Sequence, residues 1–172
     1  NEGFWVGRYE TGIEKSFRYY GSEYAVEHPI EDKPVIKQNV YPYNWVRCSQ
    51  AQQLAKSLSP NEYDCNLMFG IQYDLMLKSL ENNYTELGNK TEKIGNIKTS
   101  IYSINNPRAL YSLDWGKSWN IAPYNKKEES YILLTTGSSE NFKLNNIYDI
   151  IGNVNEWTLE YTKKSPPCVY RG

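Results

Sequence analysis

The sequence has 172 residues with 19 basic and 20 acidic side chains, long enough for one domain with a sizeable core and without a net field. That balance argues against nucleic acid or an anionic membrane surface as a partner, since both call for a basic excess. No run of about eighteen apolar residues is present to span a bilayer. The single histidine, His28, excludes a histidine cluster for iron, copper or zinc and leaves any Ser-His-Asp arrangement one candidate base.

Aromatic content is 15%, with sixteen Tyr. Tyr supplies rigid amphipathic contact area of the kind recognition surfaces use; an AT-rich coding bias would give the same richness. No basic-then-apolar leader precedes Asn1. The sequence begins without Met, so a piece of a longer protein is expected and the compartment is not read from this end.

In chain order, Gly3 to Thr11 predicts a first strand, aromatic and β-branched, ending at a Thr-Gly turn. Arg8 and Glu10 within it are expected to form a structural ion pair. Ile13 to Lys37 is charged, aromatic and without periodicity, a surface loop that holds His28 beside Pro29. Asn44 is placed to cap a first helix in which Ala51, Leu54, Ala55 and Leu58 recur on one face, closed by Pro60. A second helix is expected from about Gly70 to Leu80, with Ile71, Tyr73, Leu75, Met76, Leu77 and Leu80 as a broad apolar face.

From Glu81 to Ser130 the composition turns to Asn, Lys, Ser, Gly and Tyr, and reads as a long irregular excursion. Trp115 and Trp119 are expected to staple it to the body. Lys117-Ser118 lacks the Gly-x4-Gly-Lys spacing of a phosphate loop. Asn83-Tyr84-Thr85 and Asn89-Lys90-Thr91 match the glycosylation acceptor pattern, as chance produces in so Asn-rich a sequence. Tyr131 to Thr136 predicts a strand running into the Gly137-Ser138-Ser139 turn. Cys48, Cys65 and Cys168 are odd in number and widely spaced, neither a disulfide framework nor a CxxC metal site; Cys48 and Cys65 are expected as buried or idle thiols.

The densest apolar stretch is Asn145 to Thr158, NNIYDIIGNVNEWT, broken only by Asp149 and by a Gly152-Asn153 bend. Trp157 is a core anchor, and Glu156 beside it needs a partner if buried. This stretch closely resembles the signature of the sulfatase-modifying-factor family. That family comprises formylglycine-generating enzymes and non-catalytic relatives with a C-type-lectin-like fold. The Arg8-Tyr9-Glu10 segment, the GIQYD entry to the second helix and the Cys168 to Gly172 ending resemble it too. Asn155 and Tyr73 depart from it, standing where the family usually has aromatic and Trp residues.

The resemblance implies an α+β, lectin-like fold with two helices, a small twisted antiparallel sheet and long irregular loops. It implies one domain over residues 1–172, cut short at its C-terminal end. Phe4, Val6, Leu54, Ile71, Ile147, Val154 and Trp157 are expected to be buried. In the enzymes the Gly-Asn-x-x-Glu segment holds a structural calcium; carried over, the ligands are Asn153, the Val154 carbonyl and Glu156, oxygen donors that suit calcium. The alternative is that Asn153 and Glu156 bond backbone amides and brace the turn.

For function, the resemblance leaves a non-catalytic domain binding a protein or carbohydrate ligand, on a bacterial surface or phage particle rather than in the cytoplasm. The alternative is a copper-dependent oxidase acting on a protein cysteine. Its cysteine pair would lie beyond residue 172, so no catalytic residue carries over. A histidine-held iron sulfoxide synthase is disfavoured by one histidine and no helical bundle.

Overall fold

The computed structural model describes residues 3–15, 17–18, 30–59, 62–83, 94–161 and 168–172. His28, Pro60, Tyr84-Thr85 of the first glycosylation triplet, the whole of the second and Pro166-Pro167 lie outside them. The fold is α+β. Helices α1 (Cys48–Ser57) and α2 (Gly70–Asn83) stand with short strands: β1 (Gly12–Ile13), β2 (Tyr41–Pro42), β3 (Tyr102–Ile104), β4 (Leu110–Ser112), β5 (Asn120–Ile121) and β6 (Tyr124–Lys126). They continue with β7 (Leu133–Leu134), β8 (Lys143–Leu144), β9 (Ile147–Tyr148), β10 (Glu156–Thr158) and β11 (Val169–Arg171). In place of one small sheet, these strands pair as β1–β2, β3–β6, β5–β4–β7, β8–β9 and β10–β11, all antiparallel.

The first strand is not at Gly3 to Thr11. That segment is irregular, and Trp5 is 98% exposed within it. It is held by single bonds, such as the Tyr148 amide to the Arg8 carbonyl at 2.9 Å, rather than by a ladder. Helix α1 begins after Arg47, not at Asn44, because Trp45 takes a φ of 54° and breaks the helical path between them. The Gln50 side chain accepts the Arg47 N–H at 2.9 Å and closes the helix end. Leu54 and Ala55 are its buried residues. In α2 the buried stripe is Tyr73, Met76 and Leu80, packed on Leu144 and Ile150 with Val6 and Ile147 alongside. Ile71 and Leu75 face solvent, since a spacing of three and four residues selects one narrow stripe from the apolar set.

The excursion expected at residues 81–130 instead builds much of the core. Tyr102, Ile104, Ala109 and Ala122 pack with Ile132, Leu134 and Phe142. Its strands are two or three residues long, too short to leave a periodic signal. Lys126, 1% exposed, donates to the Ile97 and Lys98 carbonyls at 2.6 and 2.8 Å and lies over the Tyr102 ring. Burial pushes its ammonium pKa down. Trp119 does staple this region, packed edge-on against Phe17 and Tyr41. Trp115 does not; it is 57% exposed.

Cys48 and Cys168 are joined in a disulfide, so Cys48 is not an idle thiol, while Cys65 is free. The link ties the start of α1 to the residue before β11, across a separation of 120 residues. Of the residues expected to be buried, Leu54 is; Val6, Ile147, Val154 and Trp157 are half-buried, and Phe4 and Ile71 are exposed. Trp157 anchors by its indole N–H, which donates to the Val46 carbonyl at 2.8 Å. No described helix is long and apolar enough to cross a membrane.

Candidate functional site

The stretch from Asn145 to Thr158 is a pair of strands, β9 and β10, around a backbone knot. Asp149, Gly152 and Asn153 all take left-handed φ values, of 58°, 79° and 66°. At Gly152 only glycine fits, because a Cβ there would stand 2.3 Å from the Asn96 carbonyl oxygen. That close approach lets Asn96 and Asn153 interlock. The Asn153 amide N–H donates to the Asn96 carbonyl at 3.0 Å, and the Asn96 N–H donates to Ile151 at 3.1 Å.

The Asn153 side chain then pairs with Leu134 as a peptide group would. Its Oδ1 accepts the Leu134 N–H at 2.9 Å, and its Nδ2 donates to the Leu134 carbonyl at 3.2 Å. Nδ2 also donates to Glu10 Oε2 at 2.8 Å, and Oδ1 accepts from Asn96 Nδ2 at 3.1 Å. Bracing the turn is therefore what Asn153 does. Glu10 is turned to this side chain rather than to Arg8, whose guanidinium lies over the Tyr9 and Tyr148 rings. The ion pair expected between Arg8 and Glu10 is absent among the described residues. In an irregular segment the two side chains need not share a face.

Three carboxyl groups meet around this knot: Glu10, Asp149 and Glu156. Burial, then the charges of Asp149 and Glu156, push Glu10 well above the usual carboxylate range. Asp149 is 2% exposed, and burial pushes it up to about 7, against the Gly137 N–H that donates to its Oδ2 at 2.6 Å. Glu156 is likewise raised, by burial first and by Asp149. Glu10 Oε1 and Glu156 Oε2 are buried without a hydrogen-bond partner. A raised pKa is the ordinary answer to such a site, since burial and mutual repulsion both favour the neutral acid.

The implied calcium ligands fit in part. Glu156 Oε2 and the Val154 carbonyl both approach the open side of Gly172, where a built Cβ would lie 2.8 and 3.3 Å from them. Asn153 does not join them, because its oxygen is already taken by Leu134 and Asn96. Among the described residues no group of three or more His, Cys, Asp or Glu side chains is arranged to hold a metal.

A second feature lies at the β4–β5 connection. Asp114 accepts from the Ser118 N–H and hydroxyl at 2.9 and 2.6 Å and from the Ser112 hydroxyl at 2.8 Å. The Ser112 oxygen in turn accepts the Gly116 N–H at 2.8 Å. These bonds hold Asp114 at about 2, well below its ordinary value. They also hold Trp115 at a φ of 62°, a conformation that costs a bulky residue energy. Its ring leans on Tyr131 with centroids 5.4 Å apart, and both are mostly exposed.

The motif reading singled out Asn153 and Glu156, and named Asp149 only as a break in the apolar run. It missed the link from Asp149 to Gly137, the Cys48–Cys168 bond and the outward display of Trp115. Each joins or frees residues that sequence distance does not relate. A scan against protein-family models, a search of curated proteins and a search of solved structures each found no match.

Proposed function

We propose that this protein is a non-catalytic ligand-binding domain of the sulfatase-modifying-factor type, with a lectin-like fold, displayed on a bacterial surface or phage particle. The observation that carries the binding reading is the Trp115–Tyr131 pair. Trp115 is set on a loop whose side-chain hydrogen bonds hold it outward, and its ring meets the exposed ring of Tyr131, which stands on the segment just before β7. A folding role would turn the indole inward, as it does for Trp119; rigid exposed aromatics are what recognition surfaces use. The disulfide between Cys48 and Cys168 supports an oxidising compartment and takes two of the three thiols out of any copper site.

The calcium implied by the family resemblance is carried as a structural proposal. Glu156 and the Val154 carbonyl would hold the ion beside Gly172, with Asn153 keeping its bond to Leu134 and water completing the shell. Its chemistry there would be charge neutralisation of buried carboxylates, not catalysis.

The test is binding of the immobilised protein to a panel of glycans and bacterial surface proteins, beside a parallel assay for oxidation of a cysteine-containing peptide with copper and oxygen. Saturable binding that Trp115→Ala abolishes, with an unchanged melt, is the expected result. Peptide oxidation, or binding indifferent to Trp115→Ala, would overturn the reading.

A further inference from the structure

Away from the aromatic pair, a cleft of about 320 Å³ opens between the Gln38-Asn39 segment, the Asn106–Arg108 turn and the Gly137–Glu140 turn. That is room for a small molecule, at the lower end of ligand-site sizes. Its floor is rigid. The Gly137 carbonyl accepts from Gln38 Nε2 at 2.8 Å, its N–H is bound by Asp149, and the Tyr9 ring packs so closely on its Cα that a Cβ would be 2.6 Å away. Ser138 is fully buried and hydrogen-bonded to Thr135.

The walls are pinned as well. Asn39, at a φ of 62°, donates its N–H to the Thr136 carbonyl at 2.7 Å and accepts from Asn106 Nδ2 at 2.7 Å. Asn106 Oδ1 accepts the Arg108 N–H at 3.1 Å.

The charge on this lining is not balanced. Glu140 is its one carboxylate, and both oxygens are engaged, one by the Lys143 ammonium and the other by the Tyr148 hydroxyl. Those bonds hold it below the usual carboxylate range, so it stays ionised and neutralised by Lys143. Arg108 is exposed, and its guanidinium has no hydrogen-bond or ion-pair partner among the described residues. A guanidinium fork beside the Asn39 Nδ2 group and the second N–H of Gln38 Nε2 is the donor arrangement that two oxygens of a carboxylate or phosphate accept.

We propose that this cleft binds a small ligand through an oxyanion, a carboxylate or a phosphate, with Arg108 as the charged anchor and the side chains of Asn39 and Gln38 as neutral contacts. The site is separate from the Trp115–Tyr131 pair and does not depend on what that pair binds. A protein without oxidase activity and one with it could both carry this cleft.

The test titrates the intact protein with succinate and, separately, with inorganic phosphate, at constant ionic strength, following backbone amide shifts by NMR. Saturable shifts centred on Asn106, Arg108, Gly137 and Ser138 are expected with at least one probe. Succinate alone marks a carboxylate site; phosphate, alone or with succinate, marks one that takes phosphate groups. Arg108→Ala should weaken binding about tenfold or more, and Arg108→Lys should recover part of it. Lys56→Ala, an exposed cation at the end of α1, should change nothing. No saturation with either probe, unchanged binding in Arg108→Ala, or an equal loss in Lys56→Ala would each overturn the proposal.

Discussion

The side-chain amide of Asn153 and the backbone of Leu134 form a closed two-bond pair, at 2.9 and 3.2 Å, across 19 residues. Leu134 is fully buried, so without Asn153 both of its peptide groups on that side would lose their partner out of reach of water. The acid cluster, the Gly152 knot and strand β7 are joined at this one side chain.

Asn153→Ala removes those partners and leaves buried polar atoms on Leu134, Asn96 and Glu10. We expect a loss of roughly 3 kcal/mol, from about 1–3 kcal/mol for each buried group left unsatisfied, read as a lower midpoint in urea with the slope unchanged. Asn153→Asp should be no better, because a carboxylate cannot donate to Leu134 or Glu10. A midpoint within error of wild type would remove Asn153 from this role.

Stability should fall as pH rises through neutrality. Asp149 binds its proton more tightly in the folded protein, titrating at about 7, than in an unfolded chain, where an Asp titrates at about 3.9. Between those values the folded state holds more protons, so the contribution is complete below about pH 4 and is lost as pH rises through about 7. Glu10 and Glu156 are raised as well and act in the same direction. Melting curves should show a decline between pH 5 and 8, worth on the order of a few kcal/mol for Asp149. Asp149→Asn keeps an acceptor for Gly137 and should flatten that decline. A profile that rises over this range would contradict the buried, protonated cluster.

The same cluster sets how calcium would act. Protons and a cation compete for Glu156, so added calcium should raise the melting midpoint more at pH 8 than at pH 5 and have no effect on Glu156→Gln. No shift at pH 8 on adding calcium or a chelator disposes of the ion and leaves protonation as the only relief for these acids.

Reducing the Cys48–Cys168 bond should lower the melting temperature markedly. It closes a loop of 120 residues, and loop-closure entropy for a ring near that length is worth about 4–5 kcal/mol. Dithiothreitol should destabilise wild type and Cys65→Ser alike, and should do nothing further to Cys48→Ser/Cys168→Ser. A reducing agent without effect on wild type would mean the thiols are unjoined in solution.

Both helices were legible because their apolar residues recur at helical spacing over two turns or more. Their buried faces follow from Leu54, Ala55, Tyr73, Met76 and Leu80, and α2 starts at Gly70 as expected, while α1 starts after Arg47 rather than at Asn44. The importance of Asp149, Gly152, Asn153 and Glu156 was also legible, as polar or flexible residues set in an apolar run. What only the tertiary structure decided is which groups those residues meet. Asn153 could have turned its oxygen to a metal or to an amide, and strand β7 passing beside it brings the Leu134 N–H to that oxygen. The stretch from Tyr102 to Lys126 concealed its strands because two or three residues carry no period; only pairing with distant partners makes them strands. Trp115 and Trp119 are alike in sequence, yet one is exposed and the other half-buried. The left-handed turn that Asp114 and Ser112 hold sends one outward while Phe17 and Tyr41 enclose the other. Local pattern specifies which residues seek burial, and the long-range fold determines which of them find it, because the enclosing groups arrive from elsewhere in the chain.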